Sequence, residues 1–196
     1  MTKLIYSLLF LLVSLASCQQ SGKEQYSALV KKELDSKKKV NDVFFGISLG
    51  MKNKDFFTHC WTMNKQGIFS DGSGGGGTSV LYKLDKNELK YPAKMTFFPD
   101  FTDDKISNVW ARFEYTGWMP WKKELGSDSL LPHVIELHKK WYPDGNSFIT
   151  VHDEKKGTTA YIKVDGNRRI LIRRYDDVDV KVDYTDLAVE KKEPKK

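Results

Sequence analysis

The stretch "ISNVWARFEY", residues 106–115, alternates strictly through its second half, with Val109, Ala111, Phe113 and Tyr115 set against Trp110, Arg112 and Glu114. A period of two marks a strand that buries one face and shows the other to solvent. Two runs of the same kind precede it, "TSVLYKL" (78–84) and "AKMTFFPDF" (93–101). Four follow: "SFITV" (147–151), "TAYIKV" (159–164), "RRILIRR" (168–174) and "VKVDYTD" (180–186). Polar turns separate them, and Asp165-Gly166-Asn167 supplies a tight hairpin between the second and third of these four. Short links between successive strands predict antiparallel meanders.

A helical segment leads each set of strands. In "NKDFFTHCWTMNKQG" (53–67), Asn53 is placed to cap, Asp55 stands in the first turn and Gly67 stops the helix. Phe56, Phe57, Cys60 and Trp61 share one face of it. Residues 127–142 read as a second helix, with Asp128 or Ser129 as cap and Pro132 in the first turn, where its missing N–H costs nothing. Leu130, Leu131, Val134, Ile135, His138 and Trp141 form its apolar face. Helix then meander, twice over, predicts an α+β fold with helices packed on one face of antiparallel sheet. Residues 43–126 form the first helix-plus-meander unit and residues 127–188 the second. One continuous sheet and two tandem units are both open at this point.

The N-terminus sets an address. Lys3 is followed by an apolar run from Leu4 to Leu15, too short to span a bilayer comfortably and succeeded by polar residues, as in an export signal occupying residues 1–17. Leu15-Ala16-Ser17-Cys18 resembles the lipobox of bacterial lipoproteins. That resemblance implies diacylation of the Cys18 thiol, cleavage before Cys18 and acylation of the freed amino group. Each buried CH₂ of an acyl chain contributes about 0.8 kcal/mol, so three chains anchor durably. Gln19 and Gln20, rather than an aspartate, follow the cysteine, which favours the outer membrane, on its periplasmic or its surface face. Cys60 is then left without an intramolecular disulfide partner.

Residues 18–42 read as a tether in which Tyr26, Leu29, Val30 and Leu34 recur at the spacing of a short helix, and residues 189–196 as a disordered tail. The chain of 196 residues carries a formal charge of +6. Loss of residues 1–17 removes only Lys3, leaving 31 Lys and Arg against 26 Asp and Glu. Such a mildly basic balance suits a chain beside an anionic membrane, and much of the excess lies in lysine runs near the termini.

The start of the first helix carries a further resemblance. In "GISLGMKNKDFF" (46–57), Gly50, Met51, Asp55 and Phe56 are similar to the helix start of small outer-membrane lipoproteins of the β-barrel-assembly type. Membership there implies a β-lactamase-inhibitor-protein-like fold, a helical layer on a short antiparallel sheet. "CWTMNKQG" stands where that family continues with Leu-Gly-x-Pro. More broadly the chain looks like the lipoproteins common in Bacteroidetes.

Most candidate chemistry dissolves on inspection. "DGSGGGG" (71–77) spells a dinucleotide fingerprint by letter, with Gly72, Gly74 and Gly77, but a strand pattern follows it where a helix is required, and Thr78 stands where a phosphate-binding loop has its lysine. His59, His133, His138 and His152 are candidate ligands or bases, yet none has metal-site spacing, and Cys60 has no second thiol nearby. In "DDVDVKVDYTD" (176–186) the acids alternate with Val178, Val180, Val182 and Tyr184, a half-buried strand rather than a calcium loop. Arg168, Arg169, Arg173 and Arg174, one hairpin away, are placed to pair with that acidic face. "GWMPW" (117–121) admits two readings, a loop folded over the edge of the core and a recognition surface. Trp118, Met119 and Trp121 follow a strand in a loop, and exposed Trp and Met mark binding surfaces.

These readings point to a non-catalytic binding or assembly module, held to the membrane by lipid, that engages an envelope protein or glycan through Trp118, Met119 and Trp121. No metal, cofactor or nucleic acid is expected. The competing expectation is an envelope-acting hydrolase whose site is assembled from distant His and carboxylate residues.

Overall fold

The computed structural model describes residues 21–72, 78–154 and 157–190. Its elements in chain order are α1 (Gly22–Asp35), β1 (Asp42–Phe44), β2 (Ile47–Ser48), α2 (Asn53–Lys65), β3 (Phe69–Asp71), β4 (Val80–Leu84), β5 (Ala93–Thr102) and β6 (Lys105–Tyr115). A 3₁₀ turn (Lys123–Leu125) leads into α3 (Ser127–Trp141), followed by β7 (Ile149–Asp153), β8 (Thr158–Asp165), β9 (Arg168–Arg174), β10 (Val180–Asp186) and α4 (Leu187–Glu190). The fold is α+β, with helices on the sheet.

Eight strands form one antiparallel sheet in the order β3-β4-β5-β6-β10-β9-β8-β7, and β1 and β2 make a separate hairpin. The last strand of each meander pairs with the last strand of the other: Val180 lies opposite Phe113, Val182 opposite Ala111 and Tyr184 opposite Val109. That junction resolves the alternative left by the sequence. The two halves are joined in a single sheet, and pairing β6 with β10 leaves only β3 and β7 as edges. The alternation in β6 is realised in full, with Val109, Ala111 and Phe113 at 0 % exposure.

Helices α2 and α3 cover this buried face. From α3, Leu130, Val134, Leu137 and His138 are buried, and Leu131, Ile135 and Trp141 are half-buried. Leu137 extends the face read from the sequence. The helix is capped two or three residues earlier than expected, with Gly126 as N-cap and no side-chain cap, so Pro132 sits in the second turn rather than the first. In α2 the N-cap is Lys52, without a side-chain bond, and Asn53 is already helical. Only Phe56 of the expected apolar face is buried; Phe57 and Trp61 stand 45 % and 63 % exposed. The reason is placement: α2 lies over the β5–β6 end of the sheet, where Phe56 meets Phe98 and Phe101, Cys60 and Met63 pack half-buried on the core, and Trp61 looks outward. Its lead-in is tied to the same end, because Gly50 N donates to Ile106 O and Asn53 N to Asp104 O.

Helix α1 takes the opposite face. Tyr26, Leu29, Val30 and Leu34 pack on Ile162, Val164 and Leu187, with Ile149, Val151, Ala160 and Leu171 alongside. A reciprocal capping box starts it, Glu24 N donating to Ser21 Oγ and Ser21 N to Glu24 Oε2. Gly22 permits the close approach, since a Cβ there would sit 2.3 Å from Thr150 O. Gly166, at φ +57° in the β8–β9 turn, is held just as tightly, 2.4 Å from Lys38 O to an added Cβ. Gly22→Ala should therefore lever α1 off β7 and expose Ile162, measurable as faster amide exchange in residues 22–35 with β6 and β10 unaffected. Of the residues expected as a C-terminal tail (189–196), Val189 and Glu190 belong to α4, and residues 191–196 lie outside the described residues.

Candidate functional site

The loop between β6 and α3 begins where Tyr115 closes the strand. Gly117, at φ +81°, turns the chain out of the ladder. The far end of the loop is pinned to the β9–β10 turn, because Ser127 N donates to Asp177 O (3.0 Å), Ser127 Oγ to Asp176 O and Arg174 Nε to Ser127 Oγ (2.9 Å). Between these fixed ends the three residues singled out from the sequence part company. Trp118 is half-buried, with its Nε1 4.0 Å from where a Gly126 Cβ would stand. Met119 is 42 % and Trp121 75 % exposed. Trp121 is the most exposed large apolar residue described. A loop held at both ends can present such a ring without ordering much further chain, which keeps the entropic cost of recognition low.

A second feature gave no signal in the sequence. The β1–β2 hairpin lies against the end of α3 and opens an aromatic slot of about 410 Å³, lined by Val43, Phe44, Phe45, Ile47, Trp141 and Tyr142 among others. Phe45 adopts φ +47°, a left-handed conformation costing roughly 1–2 kcal/mol for a residue with a Cβ. Packing holds it there, its ring 4.4 Å from that of Tyr82 and 5.8 Å from that of Trp141, with its carbonyl 2.7 Å from His59 Nε2. On its other side an adjoining depression is lined by Met63, Ile68 and Tyr82.

Beyond Tyr142 the slot meets a buried polar network. Arg168, Asp165 and Lys163 are 5 %, 6 % and 3 % exposed at their side chains. Asp165 Oδ2 lies 3.4 Å from both cations, and its Oδ1 accepts from Asn146 N (2.8 Å). Arg168 also donates to Asp42 O and Oδ2, each at 2.7 Å, and lies over the Tyr142 ring. Tyr142 Oη donates to Val43 O, which joins the network to the wall of the slot.

The four histidines are not brought together. His138 is fully buried; its Nδ1–H donates to Val134 O (2.7 Å), so Nε2 accepts from Tyr184 Oη (2.6 Å). His133 Nδ1 pairs with Tyr115 Oη (2.6 Å), His152 Nδ1 with Thr159 Oγ1 (2.9 Å), and His59 with the Phe45 carbonyl. Among the described residues no group of three His, Cys, Asp or Glu could hold a metal. Cys60 is half-buried and packed on the core, and burial pushes its thiol up to about 11. A thiol so protonated at neutral pH is a poor nucleophile. Native Cys60 should react with iodoacetamide at least roughly tenfold more slowly than in the denatured chain; equal rates would contradict this packing.

The acid–arginine pairing expected between β9 and β10 is realised in part, with Arg168 opposite Asp186 and Arg174 paired with Asp177, and the register departs from it elsewhere. Arg173 stands opposite Lys181 and Leu171 opposite Asp183. The arginines also find partners outside that run: Arg174 pairs with Asp128, Arg169 with Glu190, and Arg168 with Asp42 and Asp165. Cys18 and residues 73–77 of the glycine run lie outside the described residues.

No protein-family model matches the chain, and no curated protein matches it. Among solved structures it is similar to a DUF4309 family protein, YjgB, from Bacillus subtilis, with a TM-score of 0.35 and 17 % identity, covering 85 % of this chain and 97 % of that one.

Proposed function

We propose that this protein is a lipid-anchored, non-catalytic binding or assembly module of the bacterial cell envelope, seated in the outer membrane and engaging a protein or glycan partner through the residue 116–126 loop. The exposure of Trp121 and Met119 on a loop pinned at both ends carries this reading. The lipobox-like Leu15-Ala16-Ser17-Cys18 and the helix-start likeness of Gly50, Met51, Asp55 and Phe56 to outer-membrane lipoproteins support the address. The contacts of the histidines, which go to carbonyl and hydroxyl oxygens, favour binding over a hydrolase built on a His–carboxylate pair.

The loop itself separates recognition from packing. Trp121→Ala should leave the melting temperature unchanged and weaken partner capture by about 2 kcal/mol, roughly thirtyfold. Trp118→Ala should instead lower the melting temperature, because it removes a half-buried ring. Capture from native membranes through a C-terminal tag, compared between the parent and each variant, reads both effects. Retention of every captured partner and glycan by Trp121→Ala would overturn the assignment. Cys18→Ser should move the protein from the membrane pellet to the soluble fraction, and a variant that still pellets at high salt would refute the anchor.

A further inference from the structure

The face of the sheet opposite α2 and α3 is open at its centre. Along one line across the strands the register sets Arg112 of β6 opposite Lys181 of β10, and Lys181 opposite Arg173 of β9. Like charges directly opposite one another destabilise a sheet unless something outside it compensates. Lys83 of β4 and Lys94 of β5, also directly opposite, add to the same face. Glu114, Asp179 and Asp183 offset part of this charge through Lys94, Arg112 and Lys181, and Asp100 and Glu190 lie on the same face farther along, beside Arg169. Tyr175 stands 45 % exposed beside the row, with Arg112 and Arg173 stacked over its ring.

The row leads to the start of the described chain. Arg173 is opposite Ala160 of β8, and Ala160 opposite Val151 of β7. Gly22, the first residue of α1, abuts Thr150 O and Val151 Cα. With strands about 4.8 Å apart, Arg173, Lys181 and Arg112 lie roughly 10, 14 and 19 Å from that edge. Two residues lie between Cys18 and Ser21, so three Cα–Cα steps reach at most about 11 Å. An acylated Cys18 would thus hold the bilayer surface within reach of the β7 end of the row.

We propose that the open sheet face, through Arg112, Lys181 and Arg173, docks on the anionic headgroups of the membrane that carries the anchor. This rests on the lipid-anchor reading and deepens it. Cations near an anionic surface gain attraction that fades within a Debye length, and a part-exposed tyrosine suits the headgroup layer. The anchor supplies proximity and the face supplies orientation, leaving Trp121 on a loop at the Tyr115 end of the sheet for its partner.

The test uses the full chain carrying Cys18→Ser, so that no acyl chain contributes, on vesicles of phosphatidylcholine with and without phosphatidylglycerol. Any contribution of residues 4–15 is common to both and cancels in the comparison. At low salt, phosphatidylglycerol should strengthen binding about tenfold, and moderate salt should remove the difference. Arg112→Gln/Lys181→Gln/Arg173→Gln should lose most of that preference, whereas Lys65→Gln/Lys139→Gln/Lys140→Gln, on α2 and α3, should keep it. Should the first triple variant melt early, Lys83→Gln/Lys94→Gln reads the same face and should show a partial loss. Absence of a phosphatidylglycerol preference, or equal loss in the two triple variants, would overturn the proposal. An unmodified Cys18 in the native protein would overturn the anchor reading alone, because the vesicle measurement does not depend on acylation.

Discussion

Asp165→Ala should destabilise the protein by about 3–5 kcal/mol, the cost of stranding buried charge without its counter-ion. Asp165 is the carboxylate between Lys163 and Arg168, at 3.4 Å from each. Arg168 would keep Asp42, 2.7 Å away. Lys163 would keep only the carbonyls of Asp144 and Asn146, with no negative charge in contact. For a chain of this size the melting temperature should fall by roughly 10 °C. Lys163→Met/Asp165→Leu should recover much of the loss, since apolar groups of similar volume often replace a buried pair without penalty. A fall of under about 1 kcal/mol in Asp165→Ala would show that water reaches and compensates Lys163.

Acid should weaken the fold through His138. Complete burial pushes its pKa from 6.5 down to about 4, against a smaller opposing effect of the Val134 carbonyl. Above pH 6.5 the imidazole is neutral in the folded and unfolded chains alike and contributes no pH dependence. As pH falls from 6.5 toward 4 the unfolded chain takes up a proton that the folded chain refuses, so stability declines by about 1.4 kcal/mol per pH unit. The loss should reach about 3 kcal/mol and stop growing below pH 4, where both states are protonated. His138→Gln removes this contribution while carboxylate titration stays common to both proteins. Denaturant midpoints at pH 7, 5.5 and 4 should therefore show the parent losing more than the variant. A constant difference across the three would refute the assignment.

Much of the architecture was legible because its signals are local. The alternation in residues 106–115 places Val109, Ala111 and Phe113 on one side of a strand whatever that strand pairs with. Strands β9 and β10 begin and end where the sequence placed them. The β1–β2 hairpin was missed because Phe45-Gly46 puts an aromatic residue in a left-handed turn position that ordinarily calls for glycine or asparagine. Helix α1 was legible in the spacing of Tyr26, Leu29, Val30 and Leu34, and the Ser21-Gly22-Lys23-Glu24 capping pattern marks its start. In the loop of residues 116–126 composition marked three candidates, and tertiary contacts then turned Trp118 inward and left Met119 and Trp121 outside.

By itself, then, the sequence determined the α+β class, the two meanders, the Asp165-Gly166-Asn167 turn and the strand residues that face inward. Those properties follow from side-chain period and turn chemistry within about ten residues. Only the tertiary structure decided that β6 joins β10 in one sheet, that α1 crosses to the far face, and that Arg168 reaches Asp42 across 126 positions of chain. It also decided that Arg112, Lys181 and Arg173 fall in one row. Register is the physical reason: a shift of one residue in strand pairing carries every side chain to the other face, and packing between distant segments selects the register.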